Sequence, residues 1–197
     1  DLAIMRVLPE MNVLAPCDDA ELRLGMAAAL TLPGPCYMRI GKKGEPRVHQ
    51  QPPEFRMGRV IPLQQGRDLC LIATGTIVPV AQAAAQLLQQ RGLSATVVSA
   101  PSIKPFDEAF LAEAFSRHRL VATVEEHSRI GGLGGLVSEW RARERHLGAP
   151  LLSFGADDIF LHEIGSQDYA RSLHGLTPAQ IAQRCAADNA DHLAYLL

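Results

Sequence analysis

The chain has 197 residues, of which 47% are hydrophobic and 20% charged. That composition is ordinary for a globular protein, and the length is enough for a buried core and one or two domains. The formal net charge of −2 excludes the broad basic face of a general nucleic-acid binder. No apolar run nears the roughly 20 residues of a membrane span, and no leader pattern opens the sequence. Neither nucleic acid nor membrane is therefore an expected partner. Cys17, Cys36, Cys70 and Cys185 stand apart from one another, with no CxxC pair. Their spacing predicts no zinc site, and they read as buried thiols in a reducing compartment, with the cytoplasm as the default. The chain starts with Asp1 in structured-looking sequence, so a piece of a longer protein is expected.

Two regions follow in chain order. "MNVLAP" (11–16) is a short apolar run stopped by Pro16 and reads as a buried strand. "DDAELRLGMAAALTL" (18–32) reads as a helix, with Asp18 or Asp19 as N-cap and Glu21 in its first turn. "CYMRI" (36–40) completes a parallel β-α-β unit. "GKKGEPRVHQQPPEF" (41–55) is polar, rich in Gly, Pro and Gln, and reads as a linker. "GRVIPLQ" (58–64) predicts an edge strand, because Pro62 lacks a ladder donor. Strands then alternate with helices: strand 68–74, helix 77–92 with Thr76 as N-cap, strand 94–100, helix 106–118 capped by Asp107. Strand 119–126, helix 132–147 and strand 150–156 continue the pattern, and two short helices close the chain. The second opens with Thr177 as N-cap and Pro178 at the first helical position. The expected class is α/β: an open, mostly parallel twisted sheet with helices on both faces, preceded by the β-α-β unit.

The stretch "EEHSRIGGLGG" (125–135) holds the densest chemistry. Gly132 and Gly134 begin a G-x-G-x-x-G dinucleotide motif, but Val137 stands where its third glycine belongs. A strand-to-helix corner explains the glycines better. Glu125, Glu126 and His127 could supply an acid–base pair, yet neighbours on a strand point to opposite faces, so Glu126 and His127 need not share a site. One acid of the cluster is expected near the following helix N-terminus, where the dipole favours negative charge. "RIGKKGEP" (39–46) is the most interesting basic stretch. Arg39 ends a strand, and ligands of α/β sheets gather outside the strands' carboxyl ends. Arg39, with Lys42 and Lys43 on the glycine-flanked loop after it, suits a phosphate or carboxylate. No Ser/His/Asp order or metal-ligand spacing appears.

In order, these motifs resemble the C-terminal half of a transketolase-family enzyme. "DLAIMRVLPEMNVLAPCDDAE" and "GPCYMRIGK" resemble the end of the family's pyrimidine-binding domain. "IATGTIVPVAQAAAQLLQQRGLSATVVSAPSIKPFD", "VATVEEHSRIGGLGG", "FGADDIF" and "GSQDYARSLHGLTPAQI" resemble its C-terminal domain. Split transketolase subunits and 1-deoxyxylulose-5-phosphate synthases share this set. The resemblance implies residues 1–45 as an incomplete pyrimidine-binding domain, 46–57 as a linker and 58–197 as the C-terminal domain. It also implies a transferase that uses thiamine diphosphate and Mg²⁺ to move two-carbon ketol units between sugar phosphates.

The diphosphate motif, G-D-G followed by N-N, is absent from the 197 residues. This section alone is thus expected to bind no cofactor and to hold no catalytic residue. A missing N-terminal domain or subunit and a homodimer are the expected partners. The resemblance nominates Arg39 and Lys42 as contacts to the substrate phosphate. It makes Glu126, His127, Gly131, Gly132, Gly134 and Gly135 a structural signature. Two alternatives stay open: the β-subunit of a thiamine-dependent 2-oxoacid dehydrogenase, and a non-catalytic dimerisation or assembly module.

Overall fold

The computed structural model describes residues 1–42, 44–145 and 148–195. Helix α1 (Leu2–Val7) opens the chain, and the Asp1 carboxylate caps it by accepting from the Leu2 N–H at 2.8 Å. Strand β1 (Asn12–Leu14), helix α2 (Asp19–Ala29) and strand β2 (Cys36–Met38) form the expected unit, with β1 and β2 parallel. Asp18 is the N-cap of α2, its Oδ1 accepting from the N–H groups of Ala20 and Glu21. Its other oxygen accepts from Val48 and His49 N–H at 2.9 and 2.8 Å. One carboxylate thus starts the helix and holds the segment between the regions. Residues 45–60 carry no helix or strand.

Strands β3 (Ile61–Gln64), β4 (Leu69–Thr74) and β5 (Ala95–Ser99) come next, with helix α3 (Val78–Gln90) between β4 and β5. Strand β6 (Ser102–Lys104), helix α4 (Glu108–Arg117), strand β7 (Leu120–Ser128) and helix α5 (Leu133–Arg143) follow. Strand β8 (Leu151–Ala156) and helices α6 (Gln167–Leu173) and α7 (Pro178–Tyr195) complete the described chain. The five-stranded sheet runs β3-β5-β4-β7-β8. Its pairs are parallel except β3 with β5, where the proline-bearing edge strand runs antiparallel.

Alternation along β4 builds two cores from one strand. Leu69, Leu71 and Ala73 face α3 and α7, packing with Ala81, Ala84 and Ile181. Cys70 and Ile72 face the other way, toward Leu111 and Phe115 of α4 and Val137 and Trp140 of α5. Phe115 and Trp140 stack with ring centroids 5.9 Å apart. Leu2, Val13 and Ala15 of the first region enter this second core.

Four details differ from the sequence reading. Strand β6 falls inside "PSIKP" (101–105), which the sequence reading left without an element, and pairs antiparallel with β1, giving a separate sheet β2-β1-β6. The reason it escaped notice is its length, three residues between two prolines. Thr76 is no N-cap: Gly75–Ile77 form a 3-10 turn, and α3 starts at Val78 without a side-chain cap. The last helix, α7, has 18 residues and is not short. Helix α5 ends at Arg143, and positions 146–147 of the expected 132–147 helix lie outside the described residues. Thr177 does cap α7, accepting from the Gln180 N–H while Gln180 accepts from Thr177 in return. Among the described residues, no helix is long and apolar enough to cross a membrane.

Leu71 is fully buried at the centre of the sheet. Leu71→Ala is expected to cost about 2–5 kcal/mol, because the surrounding strands cannot collapse into the void. Urea denaturation should show a lower midpoint with an unchanged slope.

Candidate functional site

The carboxyl end of β7 projects acids to both faces of the sheet. Glu125 points to the α5 side and is fully buried. Its two oxygens accept from the Leu133 and Gly134 N–H groups, each at 2.7 Å. It therefore caps the first turn of α5, whose N-cap residue Gly132 has no side chain to do so. Burial pushes the Glu125 carboxyl up to about 7, against the pull of those two N–H donors and of Arg6 and Arg39. The acid expected at the helix N-terminus is thus Glu125, the neighbour of the nominated Glu126.

The glycine corner wraps around this carboxylate. Gly131 has φ +74°, a left-handed conformation that glycine adopts freely. A Cβ on Gly132 would lie 1.9 Å from Glu125 Oε2, so any side chain there would displace the cap. At Gly134 a Cβ would meet Ser153 Oγ at 2.8 Å. Gly135 differs from its neighbours: its nearest contacts would be 3.8 Å away, and the geometry makes no demand for glycine there.

His127 shares the Glu125 face, with Nδ1 3.8 Å from Glu125 Oε2. That nitrogen pairs with the Ser128 carbonyl at 2.8 Å, and Nε2 accepts from the Ala3 N–H at 3.4 Å. Both roles fit a neutral imidazole, and burial holds its pKa below the usual range. Arg6 closes the corner by donating to the Gly132 carbonyl at 3.2 Å and pairing with Glu139 at 2.6 Å.

Glu126 points to the opposite face. It accepts from Arg171 and Gln167 of α6, both at 2.7 Å, and from the Thr76 hydroxyl at 3.2 Å. Strand alternation thus separates Glu126 from His127, and the two do not meet as an acid–base pair. Glu126 and Thr76 line a cavity of about 320 Å³, together with Pro16, Arg39, Lys42 and Gln167. The cavity opens where β2, β4 and β7 end, the position where α/β sheets bind ligands. Arg39 bridges both faces of the corner. It donates to the Glu126 carbonyl at 2.8 Å and pairs with the Asp1 carboxylate at 3.2 Å. Tyr37 donates to that same carboxylate at 2.9 Å. Lys42 is exposed at the rim, and its backbone N–H donates to Glu45 at 3.3 Å. The two cations thus border one cavity, and Arg171 neutralises the Glu126 charge at its wall.

Sequence reasoning missed Arg171, Gln167 and Asp1 as members of this site, and it left open which acid of the 125–126 pair caps the helix. Arg171 and Gln167 stand in "GSQDYARSLHG", but α6 is only seven residues long and nothing local shows which side chains reach β7. It also missed the meeting of Cys17, Glu21 and His49, whose ligating atoms lie within 4.8 Å of one another.

An open, two-faced α/β sheet with a charged cleft at the strand ends defines the class of this protein. Residues 58–181 match the family model of the transketolase C-terminal domain. The chain is 37% identical over 186 residues to a putative transketolase C-terminal section of Methanocaldococcus jannaschii, covering 93% of this chain and 57% of the relative. It is 34% identical over 183 residues to the 6-deoxy-6-sulfo-D-fructose transketolase subunit SqwH of a Clostridium species, strain MSTE9, covering 93% and 56%. A solved split-gene transketolase, described as an inactive beta4 tetramer, superposes with TM-score 0.88 at 34% identity, covering 98% of this chain and 61% of that one. The chain belongs to the transketolase family, as a C-terminal section of a transketolase-like protein. It spans little more than half the length of these curated relatives.

The family generally works with thiamine diphosphate and a divalent metal. The described residues do not fit that pair. Mg²⁺ takes oxygen ligands and keeps several waters. The cluster of potential ligands found among the described residues is instead a thiol, an imidazole and one carboxylate, all buried.

Because the Glu125 pKa is raised in the folded chain, its contribution to stability is fully present below the ordinary value of 4.5 and is lost as pH rises through about 7. Glu125→Gln should remove this slope. Chemical denaturation of the parent at pH 5 and pH 8 is expected to differ by a few kcal/mol more than that of the variant. Equal differences would refute the shift.

Proposed function

We propose that this chain is the C-terminal section of a thiamine-diphosphate-dependent transferase that moves two-carbon ketol units between sugar phosphates. The observation that carries the reading is the Arg39–Lys42 cavity at the strand ends of a chain whose near-whole length aligns with a split transketolase. Residues 1–45 are the end of a pyrimidine-binding domain, 46–57 a linker and 58–197 the C-terminal domain. The complementary N-terminal section holds the diphosphate and Mg²⁺, and the working assembly is a cytoplasmic dimer of the paired sections. When bound, the cofactor supplies the carbanion chemistry. This chain's own residues orient and recognise. Arg39 is held in place by the Glu126 carbonyl and Asp1, and Lys42 extends from the rim toward a phosphate. Glu126, His127, Gly131, Gly132 and Gly134 shape the corner that places Arg39. Gly135 belongs to the same motif, although nothing crowds it.

The basic rim favours a phosphorylated sugar over the small 2-oxoacid of a dehydrogenase β-subunit, which has no phosphate to hold. A second reading, an assembly module without chemistry of its own, rests on the solved relative described as an inactive tetramer. Calorimetry separates the two. Thiamine diphosphate with Mg²⁺ should give no binding heat on this chain alone and a clear heat on the protein joined with its N-terminal section. No heat in the joined protein favours the module.

Lys42→Ala in the joined enzyme should raise KM for the phosphorylated substrate roughly tenfold, with kcat little changed, by loss of one charge-assisted contact. Steady-state kinetics check this. An unchanged KM would remove Lys42 from the phosphate site.

A further inference from the structure

Three side chains used by nothing above converge beneath the cavity rim. Cys17 follows β1, Glu21 stands in the first turn of α2, and His49 comes from the segment between the regions. All three are buried, and their ligating atoms lie within 4.8 Å of one another. The frame around them is already fixed. Glu21 Oε2 accepts from the Cys17 N–H at 2.8 Å, and Oε1 lies 2.9 Å from His49 Nε2. Asp18 anchors His49 by accepting from the Val48 and His49 N–H groups. Cys17 and Asp18 also form part of the wall of a cavity of about 270 Å³.

Thiolate, imidazole and carboxylate are the ligand types of zinc. A thiolate and a carboxylate balance the charge of Zn²⁺, so the loaded cluster buries no net charge. Burial, and then the Glu21 and Asp18 charges, push the Cys17 thiol well above its usual range in the metal-free cluster, and a bound cation reverses this by holding the thiolate directly. We propose that Cys17, Glu21 and His49 bind one zinc ion, with water from the cavity in the fourth position. Binding forms the sulfur–zinc bond and releases the Cys17 thiol proton to solvent. The proton that joins His49 Nε2 to Glu21 in the metal-free cluster must also move: it is lost from Nε2 and the neutral imidazole carries its one proton on Nδ1, which frees Nε2 and the Glu21 oxygen to bind the metal. This site is independent of the sugar-phosphate reading. It also revises the expectation, drawn from cysteine spacing, that the chain has no zinc site.

The test uses the full-length protein, stripped with a chelator and titrated with Co²⁺ as a spectroscopic stand-in and with Zn²⁺. Expected are about one zinc per chain by elemental analysis and a thiolate-to-cobalt charge-transfer band that zinc abolishes. Cys17→Ser should eliminate the band, and His49→Gln should weaken zinc binding by at least about tenfold. A folded parent without the band overturns the proposal, as does equal zinc affinity in the parent and both folded variants. If either variant fails to fold, the parent's cobalt spectrum decides alone.

Discussion

A single buried carboxylate organises the site. Glu125 supplies two acceptors to the N-terminus of α5, where the backbone offers unpaired donors and Gly132 offers no side chain. Removing water from a carboxylate is costly, and the two N–H groups and the helix dipole offset only part of that cost, which leaves the group easier to protonate. The corner must then stay bare of side chains, which accounts for Gly132. His127, on the same face, holds the backbone of Ala3 beside it. Ala3 belongs to α1, and the residue that caps α1, Asp1, holds Arg39. The position of the cavity's arginine thus traces back, contact by contact, to a helix cap on the far side of the sheet.

Strand geometry gives β7 two tasks at once. Glu125 and His127 serve the packed side, and Glu126 serves the cavity. Successive residues of an extended chain cannot share a face, so a run of adjacent polar residues is divided between two environments. The same alternation along β4 divides Leu71 from Ile72 and supplies both hydrophobic cores.

Much of this was legible in the sequence because it depends on local periodicity. The α/β alternation, the Pro62 edge strand, the Asp18, Asp107 and Thr177 caps and the glycine corner follow from patterns a few residues wide. The site was legible only in outline. Arg39 stands out as a cation at a strand end, but its partners Asp1 and Glu126 lie far away in sequence. His49 sits in a polar stretch that reads as solvated, yet it is buried because Asp18 pulls its backbone inward. Composition cannot register a contact that a distant cap creates.

Strand β6 ties the order of synthesis to the order of assembly. The sheet begun by β1 and β2 stays open along one edge until residues 102–104 arrive and pair antiparallel with β1. On the ribosome, the first region must therefore wait, with an unpaired strand, until part of the second region has emerged. A chain divided at the polar linker would separate β1 from its partner and leave each piece with a strand lacking its neighbour. The boundary that looks natural in composition is thus a poor place to cut, because the backbone ladder ignores it.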